Sequence, residues 1–104
     1  MAEPKHGTEG EVLEKTRPKA DRPRLYHVLL HNDDYTTMQF VMEVLETIFH
    51  KSPAEAFRIM MHVHTRGQGL CGAYPYDVAE TKVALVHDTA RENGFPLRAS
   101  MEDA

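Results

Sequence analysis

The stretch LLHNDDYTTM, residues 29–38, decides how this chain is organised. It begins with apolar residues typical of a strand and ends with residues typical of a helix N-terminus. Between them lie one amide and two carboxylates, which favour turns because their side chains bond to nearby backbone groups. The stretch therefore predicts a strand, a turn and a helix start in succession, with a cluster of oxygen acceptors between the two elements.

The composition fits one small domain with a single hydrophobic core. The chain has 104 residues, of which 41% are hydrophobic, and its net charge is -4. This acidic balance argues against a nucleic-acid-binding face, which would be basic. The single cysteine, Cys71, excludes an internal disulfide and suits a reducing compartment. Because the N-terminus lacks the apolar segment of a signal peptide and no apolar run is long enough to cross a membrane, we expect a soluble cytoplasmic protein.

Residues 1–23 differ in composition from the rest of the chain. They are polar and charged, and Val12 and Leu13 are their only large aliphatic residues after Met1. Such a segment buries too little apolar area to offset the entropy lost on ordering. We predict a disordered tail over residues 1–23 and a folded domain over residues 24–104.

Start and stop signals predict three strands and three helices. The strands are predicted over Leu25–His31, Gly69–Tyr74 and Leu97–Met101. The helices are predicted from Thr36 to Phe49, from Pro53 to Thr65, and from near Pro75–Asp77 to a stop at Asn93. The order β-α-α-β-α-β predicts an α+β domain, in which a three-stranded, mainly antiparallel sheet carries three helices packed on one face.

Capping signals place the ends of the first two helices. Thr36 with Gln39, and Ser52 with Glu55, have the spacing of capping boxes, which predicts Thr36 and Ser52 as N-caps. Gly67 suits a left-handed C-cap at the end of the second helix. Two further glycines in the second predicted strand, at positions 69 and 72, indicate close approach of backbone.

The acceptor cluster Asn32, Asp33 and Asp34 has two interpretations. Turn and capping chemistry explains it as well as a binding site does. As a binding site, its amide carbonyl and two ionised carboxylates would suit an ammonium group or a hard metal ion. The spacing lacks the alternate-ligand pattern of a calcium loop, so an ammonium group is favoured over a metal.

The histidine pair His62 and His64 is a weaker candidate for metal binding. Residues two apart on a helix point about 200° apart, so the pair cannot chelate one metal, and a zinc site with Cys71 is not supported. His64 shares a helical stripe with Phe57 and Met60. It is either a satisfied polar group at the edge of the core or a neutral acceptor facing a pocket.

Methionines are concentrated on the first two predicted helices, at positions 38, 42, 60 and 61. A methionine stripe is usually core, but methionine also lines sites that accept ligands of several shapes. Met38 lies in the first helical turn beside the acceptor cluster, so a lining role is the alternative there. No sequence feature identifies a general base that could activate the Cys71 thiol, so a nucleophilic role for Cys71 is not supported.

Several motifs follow one another in a fixed order from Tyr26 to the C-terminus. They are NDDYTxMxFV (32–41), MxxVH (60–64), GLCG (69–72), VAETKV (78–83), AREN (90–93) and PL (96–97). Together they resemble the ClpS family, the adaptors of the bacterial N-end rule. In that family the domain binds the exposed N-terminal residue of a substrate, typically Leu, Phe, Tyr or Trp. It then delivers the substrate to an AAA+ unfoldase, ClpA or ClpC, coupled to the ClpP protease.

The resemblance implies a non-catalytic adaptor without a cofactor or metal, and it implies roles for individual residues. Asn32, Asp34 and His64 would bind the α-ammonium group directly or through water, with Asp33 close to the start of the substrate backbone. The side-chain pocket would be lined by Thr36, Met38, Val41, Met60, Val63 and Leu97.

The resemblance also implies a surface for the unfoldase. Asp77 and Lys82 match positions that face it in relatives, and the tail would be offered to its pore. Two departures from the family pattern lie beside the cluster. Thr37 stands where proline is common, and His31 stands where an apolar residue is more usual. A third is the Pro75 region, which replaces a usual capping threonine.

Two other functions are weighed against the adaptor. One is a metal-dependent hydrolase that uses Asp33, Asp34 and His64. The other is a ribosome-associated module, since the family's fold is similar to the C-terminal domain of the ribosomal stalk protein. The adaptor alone makes His64 an acceptor that works best neutral, and it predicts weaker peptide binding near pH 5.

Overall fold

The computed structural model describes residues 22–104. Its elements are β1 (Leu25–His31), α1 (Met38–Thr47), α2 (Pro53–Arg66), β2 (Gln68–Pro75), α3 (Tyr76–Glu92) and β3 (Arg98–Asp103). The predicted order β-α-α-β-α-β is confirmed. The predicted disordered tail lies outside the described residues, apart from its last two. No helix in the described part of the chain is long and apolar enough to cross a membrane.

β1 is the central strand of a three-stranded sheet with the order β2-β1-β3. Both of its neighbours run antiparallel to it, and Leu30 lies opposite Gly69 of β2 and Ala99 of β3. The register with β2 shifts between Val28 and Leu29, which leaves Cys71 as an extra residue on β2. The predicted antiparallel sheet is confirmed.

The core lies between the sheet and the helices. Val28 and Leu30 of β1 have no exposed surface, and the helices cover them with apolar side chains. The most deeply buried of those helical side chains are Val44, Leu45, Ile59 and Val86. Because each such side chain contributes about 1.5–3 kcal/mol on burial, this contact fixes which face of each helix turns inward.

The predicted N-cap of α1 is wrong by one residue. Thr37, not Thr36, caps the helix: it has extended backbone (φ -74°, ψ 152°) and its hydroxyl accepts the N–H of Phe40 at 3.1 Å. The Thr36 hydroxyl is already used, because it donates to Asp33 Oδ2 at 2.7 Å. The bond between Thr36 and Asp33, which lies outside the helix, therefore moves the cap of α1 from Thr36 to Thr37.

The predicted ends of α2 are confirmed. Ser52 caps the N-terminus by accepting the N–H of Glu55 at 3.2 Å. Gly67 ends the helix in the left-handed region (φ 91°), and its N–H donates to Val63 O at 3.0 Å. Glu55 does not complete the capping box, since its carboxylate pairs with Arg58. α2 thus ends at a defined point beside the turn that follows β1.

The close backbone approach predicted for Gly69 is present. A Cβ at this position would lie 2.7 Å from Val63 Cγ2 and 3.0 Å from the carbonyl oxygen of Ile59. Since real Cβ atoms essentially never come within 3.0 Å of another heavy atom, only glycine lets β2 pack this closely on α2. The packing brings the C-terminal half of α2 against the sheet.

Two polar residues of α3, Lys82 and His87, form hydrogen bonds with other elements. His87 Nε2 accepts the N–H of Ala99 at 3.0 Å and joins α3 to β3. Lys82 Nζ donates to the carbonyl oxygen of Ile48 at 2.7 Å. Long-range partners that the helical pattern does not reveal account for both positions.

Candidate functional site

One cavity lies where the turn after β1 meets α1 and α2. Its volume is about 250 Å³, and nine residues line it. They are Asn32, Asp33, Asp34, Thr36, Met38, Val41, Met60, Val63 and His64. The structure therefore brings together every residue predicted for the site except Leu97.

The connectivity explains why these residues meet. A short connection joins α1 to α2, so the start of α1 lies beside the end of α2. The N–H of Asn32 donates to the carbonyl oxygen of Gly67 at 2.9 Å, which ties the turn after β1 to the C-terminus of α2. The acceptor cluster and His64 consequently lie on the same side of the cavity.

Asp33 holds the turn together. Its Oδ1 accepts the N–H groups of Tyr35 at 2.8 Å and Thr36 at 2.7 Å, and its Oδ2 accepts the Thr36 hydroxyl. Burial raises the pKa of Asp33, but the bonds from Thr36 and Tyr35 favour the ionised form and lower the pKa overall. The carboxylate therefore stays ionised and bonded at neutral pH.

The remaining polar groups of the cavity are available to a ligand. Asn32, Asp34 and His64 are exposed, and no hydrogen bond engages their side chains within residues 22–104. An amide oxygen, an ionised carboxylate and a neutral imidazole nitrogen all accept hydrogen bonds. Among the residues that the structure describes, no lysine or arginine lines the cavity, so its polar end suits a cationic donor such as an ammonium group.

The other end of the cavity is apolar. Val41, Met60 and Val63 form its floor, and each is almost completely buried. Met38 lies at the mouth with 45% of its surface exposed. A flexible methionine at the mouth of a rigid floor can adapt to side chains of different shapes.

Within the described residues, no group of three His, Cys, Asp or Glu side chains lies close enough together to hold a metal ion.

Comparison with known proteins gives the family. The family described as ATP-dependent Clp protease adaptor protein ClpS matches residues 21–100. The chain belongs to the ClpS family. Its members are adaptors of the Clp protease rather than the protease itself.

Curated relatives cover almost the whole chain. A ClpS adapter protein of Desulfatibacillum aliphaticivorans is 53% identical over 98% of this chain and 98% of its own length. One of Maricaulis maris is 55% identical over 98% of both chains. Among solved structures, Agrobacterium tumefaciens ClpS2 bound to L-phenylalaninamide is similar at 41% identity with a TM-score of 0.76. That comparison covers 80% of this chain and 100% of the other.

Leu97, assigned to the pocket by resemblance to the ClpS family, does not line this cavity. It is buried in the core and borders a second cavity together with His87, Arg91, Phe95, Pro96 and Arg98. β3 begins beside the end of β1, where Arg98 lies opposite His31, and Leu97 packs into the core at that point. Its assignment to the pocket stays a prediction.

The two residues expected to face the unfoldase in ClpS relatives lie together on α3. Asp77 is exposed, and it lines a cavity of about 250 Å³ together with Lys82 and Leu85. Lys82 is half-buried, because its ammonium binds Ile48 O and lies 5.6 Å from the centre of the Phe49 ring. It also lies 5.2 Å from the centre of the Tyr74 ring, so this cation stabilises the end of α1 as well as reaching the surface.

His31, which replaces an apolar residue common in ClpS relatives, is bonded across the sheet. Its Nε2 lies 2.6 Å from Ser100 Oγ. Burial lowers the pKa of His31, and the nearby Arg98 guanidinium lowers it further, against a smaller opposite effect of Glu102. The residue therefore braces the end of β1 in its neutral form, next to Asn32.

Cys71 is excluded from the chemistry of the site. It is buried in the core, and burial raises the pKa of its thiol to about 12. A protonated thiol is a poor nucleophile.

Two hydrogen bonds that shape the site are not predicted by the sequence. The bond from Asn32 to Gly67 and the use of the Thr36 hydroxyl by Asp33 both matter to the cavity. The second had a partial signal, because an aspartate in a turn commonly bonds to the groups of the next few residues, but the pattern does not say which of them it bonds to. The first had none, since it joins residues far apart in sequence.

Proposed function

We propose that this protein is an adaptor that binds the free N-terminal residue of a substrate protein, with Leu, Phe, Tyr or Trp as that residue. It delivers the substrate to an AAA+ unfoldase, ClpA or ClpC, for degradation by ClpP in the cytoplasm. The observation that carries the proposal is the cavity with hydrogen-bond acceptors at one end and an apolar floor at the other. A related ClpS2 has been solved with L-phenylalaninamide, a ligand with a free amine and an aromatic side chain.

The polar end recognises the α-amine. A free α-amine has a pKa of about 7.7–8.0, so it is mostly charged at neutral pH. The Asn32 carbonyl, the Asp34 carboxylate and the neutral His64 imidazole accept its three N–H bonds. Because bonds to a charged donor are stronger than neutral ones, an acylated, uncharged N-terminus binds much more weakly.

The apolar end recognises the side chain. A cavity of about 150 Å³ is enough to bind benzene, so the volume of about 250 Å³ found here accommodates an aromatic ring or a leucine side chain. Burial of such a side chain contributes about 1.5–3 kcal/mol. The floor of Val41, Met60 and Val63 has no polar group of its own to pair with a charged side chain.

Calorimetry with short peptides tests the recognition step. A Phe-starting peptide should bind with a free amine and fail when acetylated. Asp34→Ala should weaken its binding about 10- to 100-fold, as expected for a hydrogen bond to a charged group. Asp88→Ala is the matched control, since it removes an exposed carboxylate on α3, remote from the cavity. Equal affinity for the free and acetylated peptides would refute the proposal.

The pH dependence tests the role of His64. A neutral imidazole accepts a hydrogen bond from an ammonium group, whereas a protonated imidazole repels it. Affinity for Leu- or Phe-starting peptides should therefore fall towards pH 5. His64→Gln keeps an acceptor without the charge change and should bind with a flatter pH profile. An unchanged affinity of the natural chain at pH 5 would remove His64 from the amine site.

The surface on α3 is proposed to contact the unfoldase. Asp77, Val78 and Leu85 are exposed there, and Val78 and Leu85 are apolar side chains without cover from the described residues. Fluorescence anisotropy of the labelled adaptor with ClpA measures this contact. Asp77→Lys and Leu85→Asp should weaken unfoldase binding and leave peptide binding unchanged.

Asp34→Ala is the reciprocal control for this surface. It should lose peptide affinity and keep unfoldase affinity. If Asp77→Lys and Leu85→Asp both bind ClpA as the natural chain does, the unfoldase contact lies elsewhere.

A further inference from the structure

We propose that Asp33 is a positioning residue that shapes the side-chain pocket through Thr36, while the neighbouring Asp34 carries the contact with the ammonium group. This inference rests on the proposed function. Asp33 and Asp34 are adjacent carboxylates of the same chemistry at the same cavity, and they would have two different tasks.

The hydrogen bonds distinguish the two carboxylates. Both oxygens of Asp33 accept bonds from within the turn, at 2.8 Å from the Tyr35 N–H and at 2.7 Å from both the N–H and the hydroxyl of Thr36. Asp34 is exposed and has no such bond among the described residues. Asp34 is therefore the carboxylate whose acceptor capacity is free for a ligand.

The bond between Asp33 and Thr36 determines which side-chain group Thr36 presents to the cavity. Thr36 lines the cavity, and its hydroxyl is turned to Asp33 Oδ2. The remaining side-chain group is the methyl, which continues the apolar wall. Without the bond, the hydroxyl is free to turn towards the pocket, where a buried apolar side chain cannot pair with it.

The same bond sets where α1 begins. With Thr36 held outside the helix, the cap falls on Thr37 and the helix starts at Met38. Asp33 thereby fixes the backbone that leads directly into Met38, which lines the cavity from the first turn of α1.

Two ratios of affinities separate the tasks. The first is the affinity for a Phe-starting peptide with a free amine divided by the affinity for its acetylated form, and it measures recognition of the amine. The second is the affinity for a Phe-starting peptide divided by that for an Ala-starting peptide, and it measures recognition of the side chain by the pocket. Asp33→Asn should lower the second ratio about fivefold and change the first less than about twofold, as for a lost positioning hydrogen bond. Asp34→Asn should do the reverse.

Thr36 supplies a matched pair of variants. Thr36→Ser keeps the hydroxyl bonded to Asp33, whereas Thr36→Val keeps the shape and loses that bond. Thr36→Val should therefore reproduce the fall in the second ratio that Asp33→Asn shows, and the double variant should lose little more than either single one. Such non-additivity is expected only if the two residues act as a unit.

A spectroscopic measurement complements the affinities. The amide proton of Thr36 should titrate with Asp33, below the usual range for an aspartate, because the bonds that lower the pKa of this carboxyl include that amide. In Thr36→Val the midpoint should move up, since one of those bonds is removed. NMR follows this in the folded chain without any ligand.

The outcomes are distinguishable. If Asp33→Asn lowers the ratio of free to acetylated peptide as strongly as Asp34→Asn, Asp33 is an amine ligand and the inference is wrong. An additive double variant, or a Thr36 amide that does not follow a depressed titration, also overturns it. If the natural chain does not discriminate against acetylation, the proposed function itself fails.

Discussion

Substitution of Gly69 by alanine tests the packing on which the cavity depends. The new Cβ would lie 2.7 Å from Val63 Cγ2, about 0.8 Å short of the optimal separation of roughly 3.5 Å. It would also lie 3.0 Å from the carbonyl oxygen of Ile59, which is helix backbone and cannot turn aside. Either β2 must move away from α2, or the Val63 side chain must shift.

The expected cost follows from this overlap. Overpacking by one methyl group in a tight contact costs about 1–3 kcal/mol. For a domain of this size that lowers the melting temperature by at least about 4 °C. Because Val63 also lines the cavity, its shift changes the shape of the floor, and affinity for Phe- and Leu-starting peptides should fall as well.

Thermal and urea unfolding, together with peptide calorimetry, measure both effects. Gly94→Ala is the matched control, because Gly94 has φ 79° but no atom within 4 Å of the added Cβ. It should destabilise the fold through backbone strain alone, by about 1 kcal/mol, and leave the peptide affinity unchanged. If Gly69→Ala unfolds at the same temperature and urea concentration as the natural chain, the close contact with Val63 is not present in solution.

Three further substitutions test local features. Thr37→Pro should change the free energy of unfolding by less than about 1 kcal/mol in urea titrations, because φ -74° suits proline. Proline restricts the unfolded chain and so stabilises the fold by about 0.4–1 kcal/mol, which offsets the loss of a cap worth about 1 kcal/mol. A larger loss would mean that the threonine has another role. His50→Gly should raise the free energy of unfolding by roughly 0.5–1 kcal/mol, since His50 has φ 54°, and no gain would contradict the left-handed backbone there. In the folded chain the pKa of His31 is lowered, first by burial and second by Arg98, so the unfolded chain binds a proton at this imidazole more tightly than the folded chain does. The free energy of unfolding should therefore fall as the pH drops through about 6.5. His31→Gln should remove that part of the pH dependence, and identical unfolding curves against pH would refute the assignment.

The order of elements was predictable because it depends on local patterns. Leu25–His31 is an apolar run of strand formers after a proline, and its predicted bounds match the structure. Ser52 and Gly67 cap α2 as predicted, since each bond they make joins residues no more than four apart. Rules that involve one helical turn can be read directly from sequence.

The candidate site was predictable in part. The motifs pointed to ten residues, and the structure brings nine of them to one cavity, while their roles in binding remain predictions. Leu97 is not among the nine, although β3 begins beside the end of β1, because its side chain is buried in the core. Whether a buried side chain also borders a cavity depends on packing between elements, which neither periodicity nor spacing specifies.

The opening stretch shows where the boundary between sequence and tertiary structure lies. The sequence by itself determined that residues 29–38 contain a strand end, an acceptor-rich turn and a helix start. Only the folded structure decided that Asp33 bonds to Thr36, that Thr37 becomes the cap and that Asn32 is tied to Gly67. The physical reason is competition for hydrogen-bond partners. Several groups in this stretch can cap, turn or bind, and packing against the end of α2 determines which of these each one does.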